Sequence, residues 1–238
     1  MSICNASDDA RKRLLDKGVA MMLAGGYHGT GLADILKAAN VPKGSFYYYF
    51  ASKEEFGAQA IEHYLAPFLR RLNERLADPS LNGLQALVAY FRDLAQELEA
   101  NDFSGGCLLG NLMGEIGDSS PAARAALKKA VDRYRDLMAQ GLARAQAEGA
   151  VRRDRDARAM ADLLFDGWQG ALLRMKIERS AEPLKSFVES TLLGACRLDP
   201  PPSRRPEGAG APCPNSSGDR PIGHGPTLSR RQTSRPVY

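Results

Sequence analysis

Apolar residues recur at alternating spacings of three and four along four separate stretches of this chain, and that repeat admits little besides helices packed on helices. Met160, Leu163, Leu164, Gly167, Trp168, Ala171, Leu172 and Met175 form one stripe, and Leu184, Phe187, Val188, Thr191, Leu192 and Ala195 form a second. Leu127, Ala130, Val131, Tyr134, Leu137, Met138, Gly141 and Leu142 give a third, and Leu84, Leu87, Val88, Phe91, Leu94 and Leu98 a fourth. No stretch alternates apolar and polar residues with β-branched enrichment, so no strand is expected. Proline placement agrees: Pro79, Pro121 and Pro183 fall at helix boundaries and Pro42 in a short turn. Pro67 falls inside a helical pattern and predicts a kink or break. The expectation is an all-α chain.

Composition bounds the rest. After Leu198, Pro, Gly, Ser and Arg dominate, too little apolar surface to offset the entropy of ordering, so residues 199–238 are expected to be a disordered tail. Six arginines against three acids in that tail account for +3 of the net +4, leaving residues 1–198 close to neutral. The sequence pI of about 8.9 is therefore no argument for a basic, nucleic-acid-coating protein. There is no apolar run of about 18 residues and no basic-then-apolar N-terminal pattern, so a cytoplasmic chain without membrane contact is expected. Cys4, Cys107, Cys196 and Cys213 show neither CxxC spacing nor a neighbouring histidine; free thiols, no metal and no cofactor are expected.

The most specific signal lies in residues 10–60. A helix over Asp9–Ala24, with Leu14, Leu15, Val19, Met22 and Leu23 inward, is stopped by Gly25 and Gly26. Thr30 offers an N-cap hydroxyl to a second helix, Leu32–Ala39. Asn40, Val41 and Pro42 make a tight turn into a short third helix, Lys43–Phe50. A fourth begins at Ser52-Lys53-Glu54-Glu55, which reads as a capping box. Two short helices joined by about three residues form a helix-turn-helix, whose second member enters the major groove. Lys43 can reach a phosphate or a guanine edge, Gly44 allows close backbone approach, and Ser45, Tyr47 and Tyr48 bring hydroxyls. Phe46 and Phe50, four apart and without polar atoms, are the expected anchors to the core. Thr30 and Lys53 sit at helix N-termini, which favour phosphate.

The order Thr30, Asp34-Ile35, Ala38 through Phe50, then Ser52-Lys53-Glu54-Glu55-Phe56 closely resembles the N-terminal signature of the TetR/AcrR family of bacterial regulators. Asn40 departs from it, standing where glycine is commoner. The resemblance implies a DNA-binding domain over 8–56 and an effector-binding, dimerising domain over 57–198. It also implies that Thr30, Lys43, Gly44, Ser45, Tyr47, Tyr48 and Lys53 face DNA. The last two helices, with the Trp168 and Phe187 stripes, match the family's dimer bundle. The implied function is a homodimeric repressor on a pseudo-palindromic double-stranded operator, released by a small-molecule effector.

Phe103 to Met113, with its Gly105-Gly106-Cys107 centre, resembles the start of the sixth helix in the electrophile-responsive, NemR- and AcuR-like branch of that family. Cys107 would then sit in a helix's first turn, where a thiolate is favoured, with Lys176 as a candidate cationic neighbour. Against this stands the strong competing reading of Cys107 as a small buried apolar residue. The effector pocket is expected among Tyr64, Phe68, Phe91, Cys107, Asn111, Met113, Trp168 and Leu172, with Trp168 serving equally as dimer core. Glu115 and Asp166 read as single acids without partners, and His63 as a solvated histidine. The competing function, an enzyme acting on a small molecule in the helical domain, lacks a nucleophile–base–orienter set, a P-loop or a dinucleotide fingerprint.

Overall fold

The structure, a computed structural model, describes residues 3–196. The tail expected over 199–238, with Cys213, lies outside the described residues. Ten α-helices follow in order: α1 (Ile3–Gly25), α2 (Leu32–Ala38), α3 (Phe46–Tyr49), α4 (Lys53–Ala77), α5 (Gly83–Ala100), α6 (Leu108–Ile116), α7 (Pro121–Ala147), α8 (Ala157–Glu178), α9 (Glu182–Ser186) and α10 (Leu193–Cys196). A 3-10 turn over Lys43–Ser45 leads into α3, and a π-turn over Phe187–Leu192 joins α9 to α10. Among the described residues there is no strand.

Helix ends follow local chemistry. The Ser52 hydroxyl accepts the Glu55 N–H at 3.1 Å and starts α4. The return half of that box is displaced, because the Glu55 carboxylate takes the N–H of Ala51 at 2.6 Å instead of that of Ser52. A reciprocal box does open α5, where Asn82 and Gln85 exchange bonds of 2.8 and 2.9 Å. Ser120, ahead of Pro121, accepts the Ala123 N–H and starts α7; Asp156 does the same for α8 through Ala159.

Asn40 takes the left-handed conformation at φ +53°. Its N–H reaches the Lys37 carbonyl and the Val41 N–H reaches that of Leu36, the paired bonds that close a helix through a left-handed residue. Glycine is free to adopt this conformation, and asparagine is among the few other residues that tolerate it. The departure at position 40 is therefore conformationally conservative.

Three expectations change. Pro67 does not break α4, which runs through it over 25 residues. The ring lies on the exposed side, where water can serve the carbonyl it frees. The last stripe is not one regular helix, since the π-turn brings Leu192 fully inward beside Phe187 and Val188. Trp168 and Phe187 do not face outward as a dimer stripe. They pack inside the chain on Phe91, with all three ring centroids 5.0–5.2 Å apart. The outward face of α8 carries Leu163, Leu173 and Ile177 instead, the last 82% exposed.

Candidate functional site

The helix-turn-helix segment is built on three phenylalanines. Phe46, Phe50 and Phe56 are fully buried, with ring centroids 4.9–5.8 Å apart. The cluster ties the short segment to α4 and fixes which way it faces. Tyr47 and Tyr48, between the anchors, are 70% and 75% exposed. Lys43 and Gly44 are exposed beside them and Ser45 is half-buried. Five of the expected DNA-facing residues thus share one outward segment of lysine, backbone, hydroxyl and phenols.

Thr30 and Lys53 stand behind that segment. Thr30 is 2% exposed, and its hydroxyl donates to the Gly26 carbonyl at 2.6 Å. It does not cap α2; Gly31 occupies the N-cap position and makes no side-chain bond. The reason is geometric, since a bond back to the carbonyl four residues earlier turns the hydroxyl away from the helix it precedes. Lys53 is half-buried. Its ammonium donates to the Thr30 carbonyl at 3.1 Å and lies 4.6 Å above the Tyr27 ring. Here the two residues brace each other instead of presenting free groups to phosphate.

The second site is a cavity of about 230 Å³ among α1, α4, α5, α6, α7 and α8. Tyr64, Phe68, Cys107, Trp168 and Leu172 line it, as expected. Asn111, Met113 and Lys176 do not; they line an adjoining cleft of about 180 Å³ that shares Cys107 and Leu172 with it. Phe91 lines neither, being buried behind the wall against Trp168. Sequence reading missed Leu23, Glu97, Asn101, Ser104, Tyr134 and Gln169. The stripes signalled that Leu23 and Tyr134 face inward, but not what they face.

Cys107 is the N-cap of α6, one position before the first turn where sequence placed it, and it is half-buried. Its sulfur accepts from the Gln169 side-chain amide at 3.5 Å. In the loop before it Asp102, Phe103, Gly105 and Gly106 all have φ between +53° and +87°, a conformation the glycines adopt freely and that is costly at Phe103. Lys176 belongs to this neighbourhood, because a Cβ on Gly106 would stand 3.1 Å from its Cδ. Two phenols, Tyr64 and Tyr134, line the cavity, and a third, Tyr90, lies behind Tyr134. Tyr134 donates to Tyr90 at 2.9 Å. Burial, and then the negative charge Cys107 can carry, push Tyr64 well above the ordinary tyrosine range. Burial also raises Tyr90 and Tyr134, so all three remain neutral hydroxyls. The arrangement offers a thiol, an amide and hydroxyl groups inside an apolar wall, which suits a small uncharged molecule carrying a polar group.

No helix among the described residues is long and apolar enough to cross a membrane, and no cluster of His, Cys, Asp and Glu there could hold a metal ion. Residues 14–59 match the family described as bacterial regulatory proteins, tetR family, and residues 83–191 match the tetracyclin repressor-like C-terminal domain. The HTH-type transcriptional repressor DhaR of Mycobacterium sp. (strain GP1) is 37% identical over 183 residues, covering 77% of this chain and 90% of that protein. The transcriptional regulator AcuR of Cereibacter sphaeroides is 39% identical over 181 residues, covering 76% and 83%. The reduced form of Escherichia coli NemR superposes with a TM-score of 0.72 at 33% identity, over 79% of this chain and 98% of that one.

Proposed function

Because this chain belongs to the TetR family of bacterial transcriptional regulators, we propose that it is a homodimeric repressor that leaves its operator when a small electrophile modifies Cys107. It is a regulator and not an enzyme. The observation that carries the DNA-reading half is the exposure of Tyr47 and Tyr48 between fully buried Phe46 and Phe50. Two large rings held in water on a rigid base are a surface waiting for a partner. Lys43, Gly44, Ser45, Tyr47 and Tyr48 contact the duplex in this reading, and Thr30 and Lys53 set the base beneath them. Two copies joined through the Leu163, Leu173 and Ile177 face would present two reading segments to half-sites roughly 34–36 Å apart, or a multiple of that. The protein acts in the cytoplasm, where its DNA is.

The effector half rests on the half-buried thiol at the junction of the cavity and the cleft. An α,β-unsaturated carbonyl compound fits the chemistry. The sulfur bonds to the β-carbon, the C=C π pair moves toward the α-carbon, and that carbon takes up the proton the thiol gave up. The NemR relative is described as a reduced form, which accords with a thiol whose chemical state matters. Footprinting on duplexes selected from a random pool tests the first half: a protected pseudo-palindrome is expected, and uniform coverage overturns it. Exposing wild-type and Cys107→Ser protein to acrolein tests the second. Wild type should leave the duplex and the variant should stay; equal release overturns the assignment.

A further inference from the structure

Glu115 is an isolated acid in the sequence but not in the fold. It lies in the last turn of α6, and its carboxylate meets two backbone donors of the turn between α1 and α2. The Tyr27 N–H reaches one oxygen at 2.7 Å and the His28 N–H reaches the other at 2.6 Å. Both are charge-assisted bonds, and together they fix the turn's position as well as its distance. The turn is shaped to receive the carboxylate. Gly26 has φ +75°, and a Cβ there would stand 2.7 Å from the nearer Glu115 oxygen. Contacts continue beyond the clamp: the Tyr27 ring carries Lys53, Lys53 holds the Thr30 carbonyl, and the Thr30 hydroxyl returns to Gly26. Turn, α2 entrance and α4 start are thereby closed into one unit behind the reading segment.

The other end of α6 is the cavity. Its N-cap is Cys107, and its nine residues make a stiff rod of about 13 Å between thiol and clamp. Hydrogen bonds of this kind hold donor and acceptor within about 2.7–3.2 Å, and a contact at about 3.6 Å no longer counts as one. A shift of α6 by less than one atomic diameter would therefore release both amides.

We propose that Glu115 is a positioning residue for DNA reading: its carboxylate holds the α1–α2 turn in the operator-competent arrangement, and movement of α6 by a cavity occupant loosens that hold. The holding role stands on the clamp alone. The loosening role rests on the reading of Cys107 as the sensor.

Glu115→Gln tests it, since the amide keeps the size but has only one oxygen to accept with. Gly114→Ala is the control, on the same turn of α6 at a position where a Cβ meets no described atom within 4 Å. Operator affinity is read by fluorescence anisotropy on a duplex selected by the wild-type protein, before and after alkylation with iodoacetamide, in chains whose Cys4 and Cys213 are serine. The E115Q chain should bind about tenfold more weakly while still unfolding in one cooperative transition, as expected for loss of a bond to a charged group. The control should bind as wild type does. Alkylation should release wild type yet change E115Q affinity less than about twofold, because the coupling it acts through is gone.

A folded E115Q chain that binds like wild type overturns the proposal, whatever alkylation does. Weaker binding with an undiminished response to alkylation overturns the loosening role. If alkylation leaves wild type on DNA, the sensor reading fails, while the clamp is still judged on the unmodified affinities. Should E115Q fail to fold, amide exchange of Tyr27 and His28 in wild type decides: faster exchange after alkylation is expected, and no change overturns the coupling.

Discussion

The reading segment and the cavity invert the usual placement of chemistry in opposite senses. At the reading segment, the rings of Tyr47 and Tyr48 stand in water. At the cavity, the hydroxyls of Tyr64 and Tyr134 are withdrawn from it and the thiol of Cys107 is half-buried. An apolar body left exposed is satisfied by a large partner that covers it, and a polar group held inside an apolar wall by a small one that enters. The same residue type, tyrosine, thus marks two different kinds of partner, and what distinguishes them is the phenylalanine base under one and the helix bundle around the other.

The comparison breaks first if the base is removed. Phe50→Ala should cost about 3–5 kcal/mol of stability, measured by urea unfolding, and abolish operator binding with it. Tyr48→Ala should do the reverse: stability within about 0.5 kcal/mol of wild type, with operator affinity lowered by roughly 10- to 100-fold at fixed salt. If Tyr48→Ala unfolds the domain, the ring is structural and the contrast fails. On the cavity side, burial raises the Cys196 thiol to about 11. At pH 8 only about a thousandth of it is thiolate, so iodoacetamide should label Cys107 and spare Cys196, as read by peptide mass. Comparable labelling of both would remove the distinction between an accessible and a packed thiol. The smallest effect belongs to Ser52→Ala. It should lower the unfolding free energy by about 1 kcal/mol through loss of the α4 cap, with operator affinity following only through stability.

The two regions also differed in how far the residues announced them. The reading segment is local: Phe46 and Phe50 are four apart, the turn at Asn40 and the cap at Ser52 are written in neighbouring residues, and each is visible without knowing the fold. Thr30 misled because a hydroxyl before a helix has two local choices, and burial decided for the carbonyl of Gly26 over the helix N–H groups. The cavity is assembled at long range. Periodicity showed that Trp168 and Phe187 lie on stripes but not that Phe91 of the same chain covers them. Gln169 meets Cys107 across 62 positions of sequence, and Glu115 meets Tyr27 across 88. Its partners there are backbone amides, which every residue carries and no sequence pattern marks.

Leu23 belongs to α1, within the segment that reads DNA, yet it forms part of the cavity wall. In the proposed reading, the border between DNA-binding segment and effector cavity therefore runs through a shared side chain and not through a linker. A chimera that takes residues 8–56 from a relative also replaces part of the effector's container. Such a graft would be expected to carry some ligand preference with the new operator specificity, so the two properties are not independently interchangeable along this chain.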